Sequence, residues 1–567
     1  MKHDSGLVRG IDPTVTVISK ILVIGFVIFC GLMAKEAGAF FQQVSDSILN
    51  NFKWFYLSLV SGVLCLLVWL MLSRFGHIRL GRDDETPEFS YRSWLAMLFS
   101  GGMGIGLIFW SVAEPMWHYA GNPFTETGLS NEAARTAMRI TFFHWGLHPW
   151  AIFIIVALVM AYFSYRKGLP LTMRSVLYPL IGDRIYGPIG HTVDILTVAI
   201  TAFGVSQSLG LGVIQMNSGL NNVLGIDISV GNQLIMIGLI SFLAILSVLS
   251  GVGRGIRLLS EWNMLLSILL VLVVLVVGPT RYILNTLIEG TGDYLGNIIS
   301  LSTWSDAQGD SGWQNWWTAF YWPWWMTWSP FVGMFIARIS RGRTIRELIL
   351  GALIVPTVVT FIWMSVFGGS ALKMEQQDRL AHQAQVESGE LVGEAAEFKG
   401  GDVLLATRAE TTSAVFTLFE KIDDGLMGQV LSLMVVLLLA TYFITSADSG
   451  TLVLCTLNSR GSLEPPMALR VIWGVMQAFI AGGLLYAGGL KAVQTAAIVA
   501  GLPIAVLTLL MSIALMKALR QEERGMPLSP IRQPVPVSET GGEEKHQPGR
   551  LKPEPVPAPV LLRASGD

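Results

Sequence analysis

The chain has 567 residues, of which 52% are hydrophobic and only 14% are charged, and its formal net charge at pH 7 is −2. Soluble globular domains carry about 25% charged residues, so this composition excludes an ordinary water-soluble enzyme. The near-neutral charge offers no basic surface to nucleic acid. The three cysteines lack the spacing of a metal cage or a disulfide framework. The composition therefore predicts a polytopic membrane protein.

Apolar segments of about 20 residues, the length needed to cross a bilayer, recur along the whole chain. Lys and Arg residues mark one side of these segments, with sixteen after even-numbered spans, counting Arg470 near the start of the eleventh span, and six in the short loops after odd-numbered spans. Because basic loops stay inside, we expect both termini in the cytoplasm. The twelve predicted spans are 14–34, 54–73, 94–117, 141–164, 193–213, 233–252, 262–280, 314–337, 347–371, 427–446, 467–489 and 493–516.

These spans define a twelve-helix membrane domain over residues 14–516, which follows a short cytoplasmic segment, residues 1–13. Residues 372–426 are rich in acids and form a predicted extracellular loop. Residues 517–567 are rich in proline with balanced charge, so we expect a disordered cytoplasmic tail.

Two predicted spans contain residues that interrupt helices. The eighth has Pro323, Pro330 and Gly333, and the third has the run Gly102-Met103-Gly104-Ile105-Gly106. Backbone freed by such breaks is tolerated in a membrane only where it lines a cavity. Interrupted helices at matching positions predict an inverted-repeat transporter, with repeats at about 94–280 and 314–516. Close packing through a GxxxG face is a compatible alternative, whereas a dinucleotide loop would need a preceding strand.

Eight of the 18 tryptophans lie between positions 304 and 328. An interfacial aromatic belt explains the outer ones. Trp324, Trp325 and Trp328 lie about 12 to 22 Å into their span at 1.5 Å per residue, which is too deep for a belt. Several indole faces around one point attract a cation that cannot donate strong hydrogen bonds, such as a quaternary ammonium. The fourth span offers a second wall with Trp145, Trp150 and Phe153.

These motifs together resemble the betaine/carnitine/choline transporter family, over about Asp12 to Met516. The resemblance is carried by the glycine run, Ala113-Glu114-Pro115, Trp145 and Trp150, the run from Phe320 to Trp325, the basic run from Arg338 to Arg343, and Thr445-Ser446-Ala447-Asp448-Ser449-Gly450. It implies an all-α membrane protein of twelve transmembrane helices, with the five-plus-five inverted repeat of LeuT type in spans 3 to 12. It also implies assembly as a homotrimer.

The resemblance further implies a tryptophan box for trimethylammonium-type substrates. Trp145, Trp150, Trp325 and Trp328 would form the box and gate, and Trp324 would contact the substrate carboxylate. Phe153 stands where relatives carry a tyrosine. The substrate would also meet the backbone of the broken third span, at Met103, Gly104, Ile105 and Gly106.

In sodium-coupled members of the family, one ion lies between the third and tenth spans. Here its ligands would be the backbone near Ser100 and Met103 and the hydroxyls of Thr445 and Ser446, although these hydroxyls could instead bond to their own helix. Thr201 resembles one ligand of a second sodium, but Val205 occupies the neighbouring hydroxyl position.

Proton coupling would need a titratable group at depth. Glu114, Asp194, Glu261 and Asp448 lie towards span ends, which leaves His144 and His148 as deep candidates. We favour sodium.

The glycine run ends in Gly106 rather than in an acid, which favours a zwitterion such as glycine betaine over choline. We therefore expect an importer of a glycine betaine-like osmolyte by sodium symport, with sodium as coupling ion and no cofactor. The alternatives are a proton-coupled choline or carnitine transporter or exchanger, and a dimethylsulfoniopropionate transporter of the same fold. An intramembrane enzyme or a receptor would need a catalytic constellation or a signalling domain, and neither is evident in the sequence.

Overall fold

The computed structural model of the protein describes residues 10–102, 104–250, 255–309, 311–462 and 464–525. Within these ranges the regular structure is helical, apart from one isolated β-bridge between Arg79 and Thr344. The predicted disordered tail lies outside the described residues from position 526 onwards, as do residues 1–9 of the predicted cytoplasmic segment.

Over its described residues, each predicted span lies mainly on helical structure, and further helices fill the longer connections. In chain order the helices are α1 Pro13–Leu32, α2 Ala34–Leu72, α3 Tyr91–Gly102, α4 Ile105–Ala120, α5 Asn131–Trp145, α6 Leu147–Ala161, α7 Tyr178–Ile181, α8 Pro188–Leu224, α9 Val230–Ser250, α10 Gly255–Val277, α11 Thr280–Thr303, α12 Trp313–Trp316, α13 Thr318–Ile339, α14 Ile345–Glu387, α15 Asp402–Ala409, α16 Ala414–Ile422, α17 Leu426–Asn458 and α18 Met467–Glu523.

Ten helices among the described residues are long and apolar enough to cross a membrane. The predicted third span is not one of these ten, because it is divided into α3 and α4. Helix α13, in the predicted eighth span, is also not one of the ten. The two final predicted spans form one helix in α18, with non-helical backbone at Gly488 and Gly489. The all-α architecture is confirmed, and the count of twelve spans stays a prediction.

The third span is interrupted where its glycine run predicts. α3 ends at Gly102 and α4 begins at Ile105, with Gly104 extended between them at φ −168°. α4 packs closely on α8 through Gly212, where a Cβ atom would lie only 2.8 Å from Cδ1 of Ile105. The first amides of α4 therefore lie in the interior of the helical bundle.

The predicted position of the interruption in the eighth span is wrong, because α13 is continuous through Pro323 and Pro330. Proline removes one helical N–H donor, and the carbonyl left free by Pro330 belongs to Met326. The Ser329 hydroxyl donates to that carbonyl at 2.8 Å, so a side chain replaces the missing amide. The break lies earlier, at Trp317, whose backbone is non-helical between α12 and α13.

The predicted extracellular loop has its own folded structure. α14 continues to Glu387, and α15 and α16 follow. Glu375 is fully buried, and its carboxylate accepts hydrogen bonds from the amides of Gly401 at 2.7 Å and Leu404 at 2.9 Å. Those amides lie at the start of α15, so the carboxylate caps that helix.

The last helix continues to Glu523, beyond the predicted end of the membrane domain at residue 516. There Glu522 forms salt bridges with Arg166 and Lys167, each at 2.6 Å. The end of α18 is therefore fastened to the connection that follows α6.

A buried ion network lies near the start of α1. Arg174 is 6% exposed and bonds to Asp194 on α8 and, at 2.9 Å, to Asp12. The Asp12 amide donates to the carbonyl of Asn458, at the end of α17, at 2.7 Å. Arg174 therefore joins the start of α1 to α8, and the backbone of Asp12 adds the end of α17.

Candidate functional site

Four indole rings meet in the interior, and we name them the aromatic box: Trp145, Trp324, Trp325 and Trp328. Trp324 and Trp325 are stacked, with ring centroids 4.8 Å apart and planes at 13°. Trp145 stands edge-on to Trp325, with ring centroids 4.9 Å apart and an angle of 80° between the ring planes. Trp328 also stands edge-on to Trp325, with centroids 6.4 Å apart and an angle of 83°. Each of the four side chains is at most 5% exposed. The box combines two parallel faces with two perpendicular rings.

Phe153 and Trp150 extend this cluster along α6. The ring of Phe153 is 5.9 Å from that of Trp325, and the ring of Trp150 is 5.7 Å from that of Phe153. Phe153 therefore contacts the box directly, whereas Trp150 is joined to it through Phe153. Both side chains are buried.

The broken third span lies against the box. A Cβ atom on Gly106 would lie 2.8 Å from Cη2 of Trp324 and 3.4 Å from Cη2 of Trp145. A Cβ on Gly104 would lie 3.9 Å from Cη2 of Trp328. Gly106 therefore gives the rings the space they occupy, and the amino end of α4 is placed beside them. Met103 lies outside the described residues.

Three of the four indole N–H groups in the box are used within the protein. Trp145 donates to Oε2 of Glu114 at 2.7 Å, Trp325 to the carbonyl of His144 at 3.3 Å, and Trp328 to the carbonyl of Gly204 at 2.8 Å. The buried N–H of Trp324 has no acceptor among the described residues. The box thus presents aromatic faces and one free donor.

Glu114 is the main functional candidate that the sequence analysis did not place in the site. Its carboxylate is fully buried. Oε2 accepts from Trp145 and from the hydroxyl of Tyr321, while Oε1 contacts Nδ1 of His144 at 2.6 Å and Nε2 of His118 at 3.4 Å. An acid within an apolar span is a functional candidate by default, and that signal was present in the sequence.

A metal ion is one further possibility at this cluster, because the ligand-type atoms of Glu114, His118 and His144 lie within 4.8 Å of one another. Hydrogen bonds already occupy both carboxylate oxygens in this arrangement. Both oxygens of Glu114 therefore have partners, whereas the buried Nδ1 of His118 has none among the described residues.

The two deep histidines both have hydrogen-bond partners. His144 also bonds through Nε2 to the Thr318 hydroxyl at 2.9 Å, and His148 bonds to the Ser302 hydroxyl at 2.9 Å. His148 stacks on Trp322 of α13, at 5.6 Å and 14°. Both rings therefore connect helices.

The predicted ion ligands are described only in part. The Thr445 hydroxyl donates to the carbonyls of Thr441 and Tyr442 in its own helix, each at 3.1 Å, which is the alternative weighed above. Ser446 is half-buried on the next position of α17. The hydroxyl of Thr201 is buried on α8 and has no partner among the described residues. The side chain of Ser100, like Met103, lies outside what is described.

Comparison with known proteins gives matches over nearly the whole chain. The family described as betaine/carnitine/choline family transporter matches residues 14–524. The glycine betaine transporter OpuD of Bacillus subtilis is 45% identical over 491 residues, 85% of this chain and 90% of the relative. A glycine betaine transporter of Acinetobacter baylyi is 41% identical over 91% of this chain and 74% of the relative.

A third relative, the glycine betaine/proline/choline/ectoine transporter of Vibrio parahaemolyticus, is 40% identical over 88% of this chain and 86% of the relative. The prediction of a transporter rather than an enzyme is confirmed by these matches. The protein is a multi-pass membrane transporter, and the chain belongs to the betaine/carnitine/choline transporter family.

Proposed function

We propose that the protein imports a glycine betaine-like zwitterion by sodium symport and that the aromatic box binds the substrate. One observation carries the proposal: three indole N–H groups of the box are bound within the protein, and that of Trp324 is buried without an acceptor. A ligand that must accept many hydrogen bonds would not find enough donors in the box. A methylated cation with one anionic end needs few donors and would be satisfied there.

The aromatic faces suit the cationic end of such a ligand. A trimethylammonium group spreads its charge over methyl groups and donates no strong hydrogen bond. A cation against an indole face gains about 2 kcal/mol or more when desolvated, so the faces of Trp325, Trp328 and Trp145 could offset much of the loss of hydration. Phe153 adds a ring face without a hydroxyl.

The donors beside the box suit the anionic end. The indole ring of Trp324, whose N–H has no acceptor among the described residues, lies against Gly106, the second residue of α4. The first amides of a helix have no intrahelical acceptors and carry partial positive charge. A carboxylate placed here would accept from Trp324 and from the amides of Ile105 and Gly106, which favours a zwitterion over choline. The sulfonium zwitterion dimethylsulfoniopropionate has the same charge pattern.

Sodium is the proposed coupling ion, and the family resemblance supports it. Neutral carbonyl and hydroxyl oxygens at broken helices suit sodium. The unpartnered hydroxyl of Thr201 is an available ligand, and Thr445 and Ser446 with the backbone near Ser100 and Met103 form the other proposed site. We also propose cytoplasmic termini and a homotrimer, as the family resemblance implies.

The test is uptake of radiolabelled glycine betaine by proteoliposomes with an inward sodium gradient. We expect uptake that requires sodium and that Trp325→Leu abolishes, while Trp316→Leu, at an exposed position of the same segment, keeps it. Competition by choline, carnitine, proline and dimethylsulfoniopropionate ranks the substrates, since relatives carry names with more than one of them. Failure of glycine betaine to be taken up or to compete would refute the substrate proposal.

The coupling ion is tested separately in the same vesicles. A proton gradient without sodium should give no accumulation. Uptake that follows the proton gradient and ignores sodium would refute symport with sodium. The cluster of Glu114, His118 and His144 would then become the proposed proton site, because these are buried titratable groups in direct contact with one another and with the box.

A further inference from the structure

The carboxylate of Glu114 joins elements from both predicted repeats. Glu114 lies on α4 and Trp145 on α5, in the first repeat, while Tyr321 lies on α13, in the second. Trp145 and Tyr321 both donate to the same oxygen, Oε2. Two aromatic side chains from separate helices are therefore held at a fixed distance from one acceptor.

Both of these rings contact Trp325 of the box. Trp145 is perpendicular to Trp325, with centroids 4.9 Å apart, whereas Tyr321 is nearly parallel to it, at 6.0 Å and 21°. The hydrogen bond from its indole N–H restricts rotation of the Trp145 ring, and the hydroxyl bond does the same at the far end of the Tyr321 ring. Movement of Glu114 would release both rings next to the proposed substrate site.

The second oxygen keeps the carboxylate itself in place. His144 contacts Oε1 at 2.6 Å and is held in turn by Thr318 at 2.9 Å, and His118 contacts Oε1 from one turn along α4. A buried carboxylate is costly unless hydrogen bonds satisfy it. Here both oxygens are satisfied, and one of them is bonded to a wall of the aromatic box.

We propose that Glu114 is a positioning residue that orients Trp145 and Tyr321 against Trp325 and so sets the affinity of the aromatic box for its methylated-ammonium ligand. This rests on the proposed function, because the ligand is the one assigned there. Glu114 acts through Trp145 and Tyr321 and does not itself touch the ligand. If Glu114 has this role, the effect of Glu114→Ala on ligand binding depends on the presence of Trp145. A role in helix packing alone would not produce that dependence.

The main test is a double-mutant cycle on purified protein, with glycine betaine binding measured by quenching of tryptophan fluorescence. Glu114→Ala should weaken binding about tenfold or more, as expected for loss of a hydrogen bond to a charged group, with a smaller change in maximal uptake rate. Glu114→Gln should stay within about threefold of the unsubstituted protein, because its amide oxygen still accepts from both donors and its amide NH₂ can donate to the other tautomer of His144. In the Trp145→Phe background, Glu114→Ala should change binding by at most about threefold.

A second measurement needs no ligand. The protein is labelled with 5-fluorotryptophan, and the ¹⁹F resonance of position 145 is identified by its loss in Trp145→Phe. That resonance should move in Glu114→Ala and in Tyr321→Phe, which removes the other donor to Oε2, but should move little in Glu114→Gln. Unmoved resonances from distant tryptophans show that the fold is kept.

The outcomes separate the two proposals. If Glu114→Ala weakens binding equally in the unsubstituted protein and in the Trp145→Phe background, the positioning role is overturned. It is also overturned if the ¹⁹F resonance of position 145 does not move in Tyr321→Phe. If Glu114→Ala does not give a folded protein, the Tyr321→Phe resonance still decides. Unsubstituted protein that does not bind glycine betaine refutes the proposed function, while the ¹⁹F measurement still tests the contact.

Discussion

Replacing Gly106 with alanine places one methyl group against the aromatic box. The added Cβ would lie 2.8 Å from Cη2 of Trp324 and 3.4 Å from Cη2 of Trp145, so the Trp324 ring has to move. An extra methyl group in a well-packed interior costs about 1–3 kcal/mol. If that cost falls on the ligand-bound arrangement, binding of glycine betaine weakens by about 5- to 150-fold.

The assay is the dissociation constant of purified protein for glycine betaine, with KM for uptake as a second readout. Gly104→Ala is the matched control, since it adds the same methyl group at the same break. Gly104 is extended at φ −168°, which any residue adopts, and its Cβ would meet Trp328 only at an ordinary contact distance of 3.9 Å. Its dissociation constant should change little. Unchanged binding in Gly106→Ala, or equal losses in both variants, would refute the steric reasoning.

Three further perturbations address packing and stability. Gly204→Ala should reduce uptake strongly, because its Cβ would lie 2.8 Å from a backbone carbonyl oxygen of α13. The control variant Gly238→Ala, whose added Cβ would have no atom within 4 Å, should transport normally. Similar uptake by the two variants would contradict this prediction. Arg174→Ala leaves two buried carboxylates without their partner and should lower the free energy of unfolding by about 3–5 kcal/mol, read as a lower melting temperature in detergent. The control variant Arg82→Ala breaks the exposed ion pair with Asp84 and should lower the free energy of unfolding by less than about 1 kcal/mol. Equal decreases in melting temperature for the two variants would count against the buried network. Glu375→Ala removes the acceptor of two buried amides, at about 1–3 kcal/mol each, and hydrogen exchange at residues 401–404 should accelerate; retained protection there would exclude a capping role.

The membrane-spanning helices could be located from the sequence because a bilayer demands long apolar segments with internally satisfied backbone. The same criterion missed α11 and the helices of the 372–426 loop, since these are short or mixed in polarity. It also gave the wrong expectation for Pro330. Whether a proline interrupts a helix depends on what replaces its donor, and the Ser329 hydroxyl does so here.

The aromatic residues of the candidate site could be chosen from depth alone, because a tryptophan far from the interface needs another explanation than a belt. The orientation of their rings could not be predicted from the sequence. Which indole N–H groups are bound and which is free depends on contacts between α13, α5 and α8 that no sequence spacing encodes. Glu114 was missed for the same reason, since its distance from a span end says nothing about the direction of its carboxylate.

The salt bridge between Glu522 and Arg166 also constrains the order in which the protein can be completed during synthesis. Its partners are 356 positions apart, and Glu522 lies at the end of the last helix among the described residues that is long and apolar enough to cross a membrane. Until that helix has left the ribosome, Arg166 and Lys167 lack this acceptor. The connection after α6, the helix that carries Trp150 and Phe153, therefore reaches its final set of contacts only after α18 has been synthesised.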